Sequence, residues 1–454
     1  MSKPRLKSLI VFGAATLIAT VVFLASRPDR VLRVLTSLTS HTLCSAAFVS
    51  GLDPHQVYAE TIAPTPGIKL ISWAVHYKVD TAHREVRTTL AGGFESRAVY
   101  RDGLGCLVLH GDPAVDPVPP RDTGEARDPS AREKLGPEPV TPGSDKVRAV
   151  FDRVFANPHH PHSGWLKAVV VMRDGQVVAE RYAKGYGSGT PVLGWSVTKS
   201  VVNALVGILV RQGRLSVERP ASVPEWRDPS DPRSSITIDH LLRMTSGLDI
   251  EESNGGFDPV SRMLFLERDM AAFAARAPLK AAPGTKWNYT SGNTLILSRI
   301  IRDAVGGHAG KVLEFARHEL FEPLGMATVT LEQDATGTPV GSTYMFASAR
   351  DWARFGTLYL NDGVVGGRRI LPLGWVRYSS SPTLNSGYAA GFWLKRDRGM
   401  PADSFYASGY LGQEIAVIPS ERLVVASFSV IHEGLEELDP LVKAVSAALG
   451  SHAK

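Results

Sequence analysis

A serine and a lysine three residues apart, Ser196 and Lys199, open a stretch whose apolar residues recur with helical spacing. Val197, Val201, Val202, Leu205, Ile208 and Leu209 mark the buried side of a helix that runs to Gln212 and stops at Gly213. On that helix Ser196 and Lys199 share a face. A serine hydroxyl is too weak an acid to attack a carbonyl at neutral pH unless a base lies within hydrogen-bond reach. An amine one turn along can be that base once burial lowers its pKa. Taken alone, the pattern also fits an ordinary buried helix with a polar end.

Two later stretches offer matching chemistry. Pro283-Gly284 makes a turn that leaves Tyr289 in a loop, ahead of a helix expected over 295–305. Its phenol either covers the core edge or relays a proton between Ser196, Lys199 and a leaving group. Residues 404–429 alternate as two paired strands, one through 405–417 and one over 423–429, and the glycines of the first admit a ligand close to the backbone. Other candidates fail on geometry. Asp239 and His240 are neighbours on a capped helix expected to run from Thr237 to the glycine at 247, so they point about 100° apart and do not orient each other as a triad needs. The nucleophile-elbow pattern G-x-S-x-G is absent. His159, His160 and His162 surround a proline that breaks regular metal-ligand geometry and read as a solvated loop, and no C-x-x-C pattern exists, so no metal is expected.

The elements that must position these residues fill most of the 454-residue chain. A helix over 145–156 and a hairpin of 168–172 and 176–182, turned at Asp174-Gly175, lead into the Ser196 helix. A final helix spans 440–449. Upstream lies a small α/β unit, residues 27–111, with an Asp53-Pro54 helix start and strands over 68–79, 85–90 and 97–100. A proline-rich linker, 112–143, separates it from the large unit at 144–454. Cys44 and Cys106 flank the small unit and either form one disulfide or remain two buried thiols.

Residues 1–26 carry Lys3, Arg5 and Lys7 before an uncharged stretch from Leu9 to Ala25, an export signal or a membrane anchor. An uncleaved anchor is the expectation, because cleavage after Ala25 or Ser26 would put Phe23 or Leu24 where a small residue is wanted. The expected location is therefore the periplasm, held at the inner membrane, with secretion the alternative if the leader is cut. Without the leader, 47 basic residues face 45 acidic ones, a balance that gives no argument for nucleic acid.

From Asp145 onward the chain resembles the serine β-lactamase-related family, which includes class C β-lactamases, penicillin-binding DD-peptidases, family VIII carboxylesterases and 6-aminohexanoate-dimer hydrolase. The resemblance rests on the Ser196, Tyr289 and 405–417 stretches in this order, together with Leu320-Phe321-Glu322-Pro323-Leu324-Gly325-Met326 and the segment from Ser348 to Gly356. It implies a mixed α/β (α+β) transpeptidase-like fold, an antiparallel sheet flanked by helices with an all-helical insertion. It also implies Ser196 as the acylated nucleophile, Lys199 as its activator and Tyr289 as the proton shuttle. Ser291, with Gly292-Asn293 after it, replaces the usual asparagine and is similar to the amide-hydrolysing branch. Where relatives carry Lys-Thr-Gly, the aligned residues are Tyr410-Leu411-Gly412, which lack the cation for a substrate carboxylate. The N–H groups of Ser196 and Gln413 would then form the oxyanion hole. The expected activity is hydrolysis of a small ester or amide, with no cofactor. A β-lactamase or DD-peptidase and a non-catalytic periplasmic binding domain are the alternatives.

Overall fold

The computed structural model describes residues 28–110, 138–156, 165–253, 255–395, 399–432 and 438–450. The expected anchor, the His159, His160 and His162 loop and most of the proline-rich linker lie outside the described residues. Among these, no helix is long and apolar enough to cross a membrane.

Pro28–Ser45 forms an 18-residue helix, α1, where the sequence reading assigns no element. Its polar inner face is the reason. Thr36, Ser37, Thr39, Ser40, His41 and Ser45 are all buried, which dilutes the apolar periodicity that marks a helix. Thr39 and Ser40 return their hydroxyls to carbonyls of their own helix, at 2.8 and 3.2 Å. Asp53 caps the next helix through the His55 N–H, as expected. The strand expected over 68–79 begins only at Val75, because Gly67, at φ +85°, opens two 3₁₀ turns first. α1 covers an antiparallel meander of β1 (Val75–Asp80), β2 (Glu85–Leu90), β3 (Gly93–Arg101) and β4 (Gly105–Leu109). A disulfide joins Cys44 at the end of α1 to Cys106 in β4, which decides between the two cysteine readings.

In the large unit, α2 (Asp145–Ala156) and the hairpin of β5 (Leu166–Arg173) and β6 (Gln176–Tyr182) form where expected. Asp174 and Gly175, both at positive φ, make the tight turn. β7 (Pro191–Leu193) leads to α3 (Thr198–Arg211) and then a helical region of α4 (Ile238–Leu242), α5 (Pro259–Leu266), α6 (Met270–Ala275), α7 (Ser291–Ala304) and α8 (Ala309–Ala316). The chain returns through β8 (Thr330–Leu331) and β9 (Met345–Ser348), the latter pairing with β7, to α9 (Ala349–Leu360). A small hairpin, β10 (Val364–Val365) and β11 (Arg368–Arg369), precedes β12 (Phe405–Gly409), β13 (Gln413–Ile418), β14 (Leu423–Ser429) and α10 (Leu438–Gly450).

The main sheet is antiparallel, in the order β12-β13-β14-β5-β6. On one face α9 packs closely, since Gly356 brings its backbone to where an added Cβ would stand 2.6 Å from Val424. On the other face Phe151 of α2 and Val445 of α10 share a core with Val171 and Val425 of the sheet. Two expectations fail locally. The single strand expected through 405–417 is two strands, because Leu411 (φ +60°) and Gly412 (φ +83°) turn the chain back on itself. The helix expected to end at Gly247 stops at Leu242, with Met244 already at φ +60°.

The small unit does not stand apart from the large one. Glu332, wholly buried in the large unit, accepts from the Ser45 hydroxyl and the Cys106 N–H at 2.8 Å each, and its other oxygen lies 2.8 Å from His41 Nε2. Gly105 makes this approach feasible, since a Cβ there would come within 2.5 Å of the Glu332 side chain. Arg101 donates to the Gln333 carbonyl at 2.6 Å, and burial pulls its pKa down to about 10 against the opposing pull of Glu332 and Asp334. Removing a buried charge that holds several donors is costly. Glu332→Ala should therefore lower the unfolding free energy by about 3 kcal/mol, whereas exposed Glu322→Ala should stay within about 0.5 kcal/mol. Urea unfolding of both variants checks this, and equal midpoints would contradict it.

Candidate active site

Ser196 is placed by a tight sequence of constraints. β7 is followed by Gly194, where any Cβ would stand 2.4 Å from the Trp352 ring, and Trp195 adopts φ +48°, a conformation costly for a bulky residue. A single 3₁₀ turn, Trp195–Val197, then feeds α3. Ser196 remains partly exposed at this junction, while Lys199 is only 3% exposed.

Lys199 Nζ lies 2.8 Å from Ser196 Oγ, 3.1 Å from Ser291 Oγ and 3.1 Å from the Ser342 carbonyl. Burial draws its pKa down to about 8, with Glu252 pulling the other way. A neutral amine has two N–H donors and one lone pair. The Ser342 carbonyl and Ser291 can take the donors, which leaves the lone pair for the Ser196 hydroxyl proton. The Tyr289 ring centroid is 4.9 Å from Nζ, and its hydroxyl is hydrogen-bonded to Ser196. Burial and the Glu252 charge raise the Tyr289 pKa, and the Ser196 contact works against them. The phenol thus stays protonated.

Glu252 is the group that the sequence reading misses. It accepts from the Ser291 N–H and from the Ser291 hydroxyl, the latter at 3.2 Å. It stands in a polar turn with no periodicity, spacing or motif to mark it. Missed also is an aromatic wall in which Tyr289 lies 5.6 Å from Tyr388 and 5.2 Å from Trp393, with Trp287 6.4 Å away.

The third stretch needs correcting. The strand residue that meets the nucleophile is Gly409, where a Cβ would stand 2.4 Å from the Gly194 carbonyl and 3.0 Å from the Ser196 N. The segment flanking the site is therefore Ala407-Ser408-Gly409, three residues before the expected Tyr410-Leu411-Gly412, which forms the hairpin turn. Gln413 lies beyond that turn. Its side chain donates to the Tyr410 and Ser429 carbonyls at 3.0 and 2.7 Å and accepts from the Ser429 N–H, so it braces the hairpin. Tyr410 stands at the rim, edge-on to Trp195 at 5.3 Å, with its hydroxyl on Thr65 of the small unit. Asn293 is not at the substrate side at all. It is wholly buried and its amide engages Ser246 at 2.7 Å and the Met244 sulfur at 3.6 Å. Asp239 and His240 stay apart from the site, the first on Arg243 and Tyr378 and the second in the Thr237 capping box.

The chain is similar to known proteins in sequence and in fold. The 6-aminohexanoate-dimer hydrolase of Paenarthrobacter ureafaciens is 28% identical over 255 residues, covering 53% of this chain and 64% of that enzyme. The chain thus spans less than two thirds of that relative's length. Esterase EstB of Burkholderia gladioli is 31% identical over 147 residues, 29% of this chain and 36% of the esterase. Among solved structures, a penicillin-binding protein homolog from Caulobacter crescentus superposes with a TM-score of 0.53 at 19% identity, covering 69% of this chain and 100% of that one. A family VIII carboxylesterase superposes with a TM-score of 0.53 at 16% identity, covering 67% and 96%. Both share the fold, an antiparallel sheet with flanking helices of the β-lactamase and transpeptidase type. The family profile described as Beta-lactamase matches residues 167–444, more than half of the chain, and the protein belongs to that family of serine hydrolases.

Proposed function

We propose that this chain hydrolyses an uncharged ester or linear amide through an acyl-enzyme on Ser196. The observation that carries the reading is the buried Lys199 amine 2.8 Å from the Ser196 hydroxyl, in a donor set that a neutral amine satisfies. Ser196 Oγ attacks the carbonyl carbon while its proton passes to Lys199. Tyr289, bonded to Ser196, hands a proton to the leaving group as the tetrahedral intermediate collapses. Water then attacks the acyl-enzyme with the same groups in reverse. The oxyanion would lie between the N–H groups of Ser196 and Tyr410, because Gly409 runs beside the Ser196 amide. Similarity to an amide hydrolase and an esterase supports this choice of substrate. The Cys44–Cys106 disulfide supports a body exported from the cytoplasm, in keeping with a periplasmic location.

Specificity follows from the flanking strand. A β-lactam or stem peptide carries a carboxylate beside the scissile amide, and a lysine on this strand would pair with it. Here the aligned position is the buried Ala407. Losing a charge-assisted contact costs about 1.5 to 3 kcal/mol, roughly ten- to a hundredfold in kcat/KM.

Two measurements test the proposal. With p-nitrophenyl butyrate, kcat/KM should rise about tenfold per pH unit and level off above an apparent pKa of about 8, since only the neutral Lys199 amine accepts the proton. Glu252 holds that pKa up, so Glu252→Gln should move the midpoint to lower pH; an unchanged or higher midpoint would contradict the coupling. On the same preparation, a chromogenic cephalosporin should be turned over at least ~tenfold less efficiently than the ester. A cephalosporin value equal to or above the ester's would promote the β-lactamase reading, and absence of both activities would promote the binding-domain one.

A further inference from the structure

Leu70, Trp73 and Phe257 are exposed at 78%, 79% and 72%, and residues beside each of them in the chain pack against the first turns of α1. Ala74, beside Trp73, shares a buried cluster with Leu35 of α1, and Leu32, Ile68 and Ile71 pack against the same cluster. From the other side, Gly256, beside Phe257, lies where an added Cβ would be 3.5 Å from Val31. Val31 and Leu35 are one turn apart, about 6 Å along the axis. Two loops from different units therefore present their large apolar side chains at one end of one helix. Trp73 is held there by its own turn, since Nε1 donates to the Leu70 carbonyl at 3.2 Å. Arg33 and Lys69 are exposed beside the patch.

Chain continuity limits what can lie beside this surface. α1 begins at Pro28, three residues after Ala25, where the uncharged stretch from Leu9 ends. Three residues span at most about 11 Å. Whatever surface receives that stretch comes within reach of the patch. Apolar and aromatic side chains clustered with exposed cations suit the boundary between lipid headgroups and acyl chains.

We propose that Leu70, Trp73 and Phe257 form a membrane-interface contact, seated in the bilayer that takes residues 9–25, with Arg33 and Lys69 toward anionic headgroups. The contact fixes the orientation of the body, which a single anchor leaves free to swivel. The proposal rests on the membrane reading of the leader and is independent of the reaction at Ser196.

The test uses the full chain in vesicles of phosphatidylcholine and phosphatidylglycerol. Cys44 and Cys106 are paired, so a single introduced cysteine can carry an environment-sensitive NBD dye. Dyes on Leu70→Cys and Phe257→Cys should shift to the blue and lose about half of their intensity to doxyl-labelled lipid. A dye on Leu373→Cys, exposed at 82%, should keep its aqueous emission. Aqueous emission at 70 and 257, an equal response at 373, or a chain that fails to float with the vesicles would each overturn the proposal.

Discussion

One ammonium-forming group taken out of water governs this structure. An amine buried among fixed donors and acceptors loses the solvation that favours its charged form, and in exchange becomes a base near neutral pH. Every close contact round Lys199 serves that exchange. Gly194 lets Trp352 close over the turn before Ser196, and Gly409 brings a strand edge against the Ser196 amide. The Ser342 carbonyl and Ser291 hydroxyl engage the amine, which leaves the lone pair of its neutral form for the Ser196 hydroxyl. Glu252 opposes the shift through its charge, and the amine's pKa comes to rest at about 8.

The small unit enters this account from behind. His41 of α1 stacks on Tyr344 at 4.1 Å, and Tyr344 lies two residues from Ser342, whose carbonyl holds Lys199. The same loop is gripped where the Glu332 N–H bonds the Tyr344 carbonyl, and Glu332 carries the three contacts to α1 and β4. The disulfide ties those two elements together, so the unit acts as a brace for the loop and lends Thr65 to the rim at Tyr410. A linker with the composition of a flexible tether joins two units that nevertheless share a buried, hydrogen-bonded interface.

Much of this was legible in the residues. The helix face after Ser196, the Asp174-Gly175 turn and the cap at Asp53 follow from periodicity and turn chemistry that tertiary packing leaves intact. The Ser196 and Lys199 pair was legible from its three-residue helical spacing, whereas the place of Tyr289 beside them was legible only through resemblance, since no spacing rule links positions 199 and 289. The failures have physical causes. α1 is hidden because its buried face is made of Ser, Thr and His, and the alternating pattern puts the third motif three residues late because it does not reveal the left-handed conformations at Leu411 and Gly412. Asn293 looked like a site residue from its place after Tyr289, yet α7 begins at Ser291 and turns it inward toward Ser246. Glu252 had no local signature, because its role arises from a fold contact 39 residues away in the chain.

The central claim is that Lys199 makes Ser196 a nucleophile, and covalent labelling addresses it directly. The full chain is treated with a fluorophosphonate at pH 8 and digested, and the adduct is located by mass spectrometry beside a Lys199→Met variant. The account predicts one adduct, on the peptide that carries Ser196, and its loss in the variant. Labelling of a different serine, or equal labelling of Ser196 without the lysine, would contradict it.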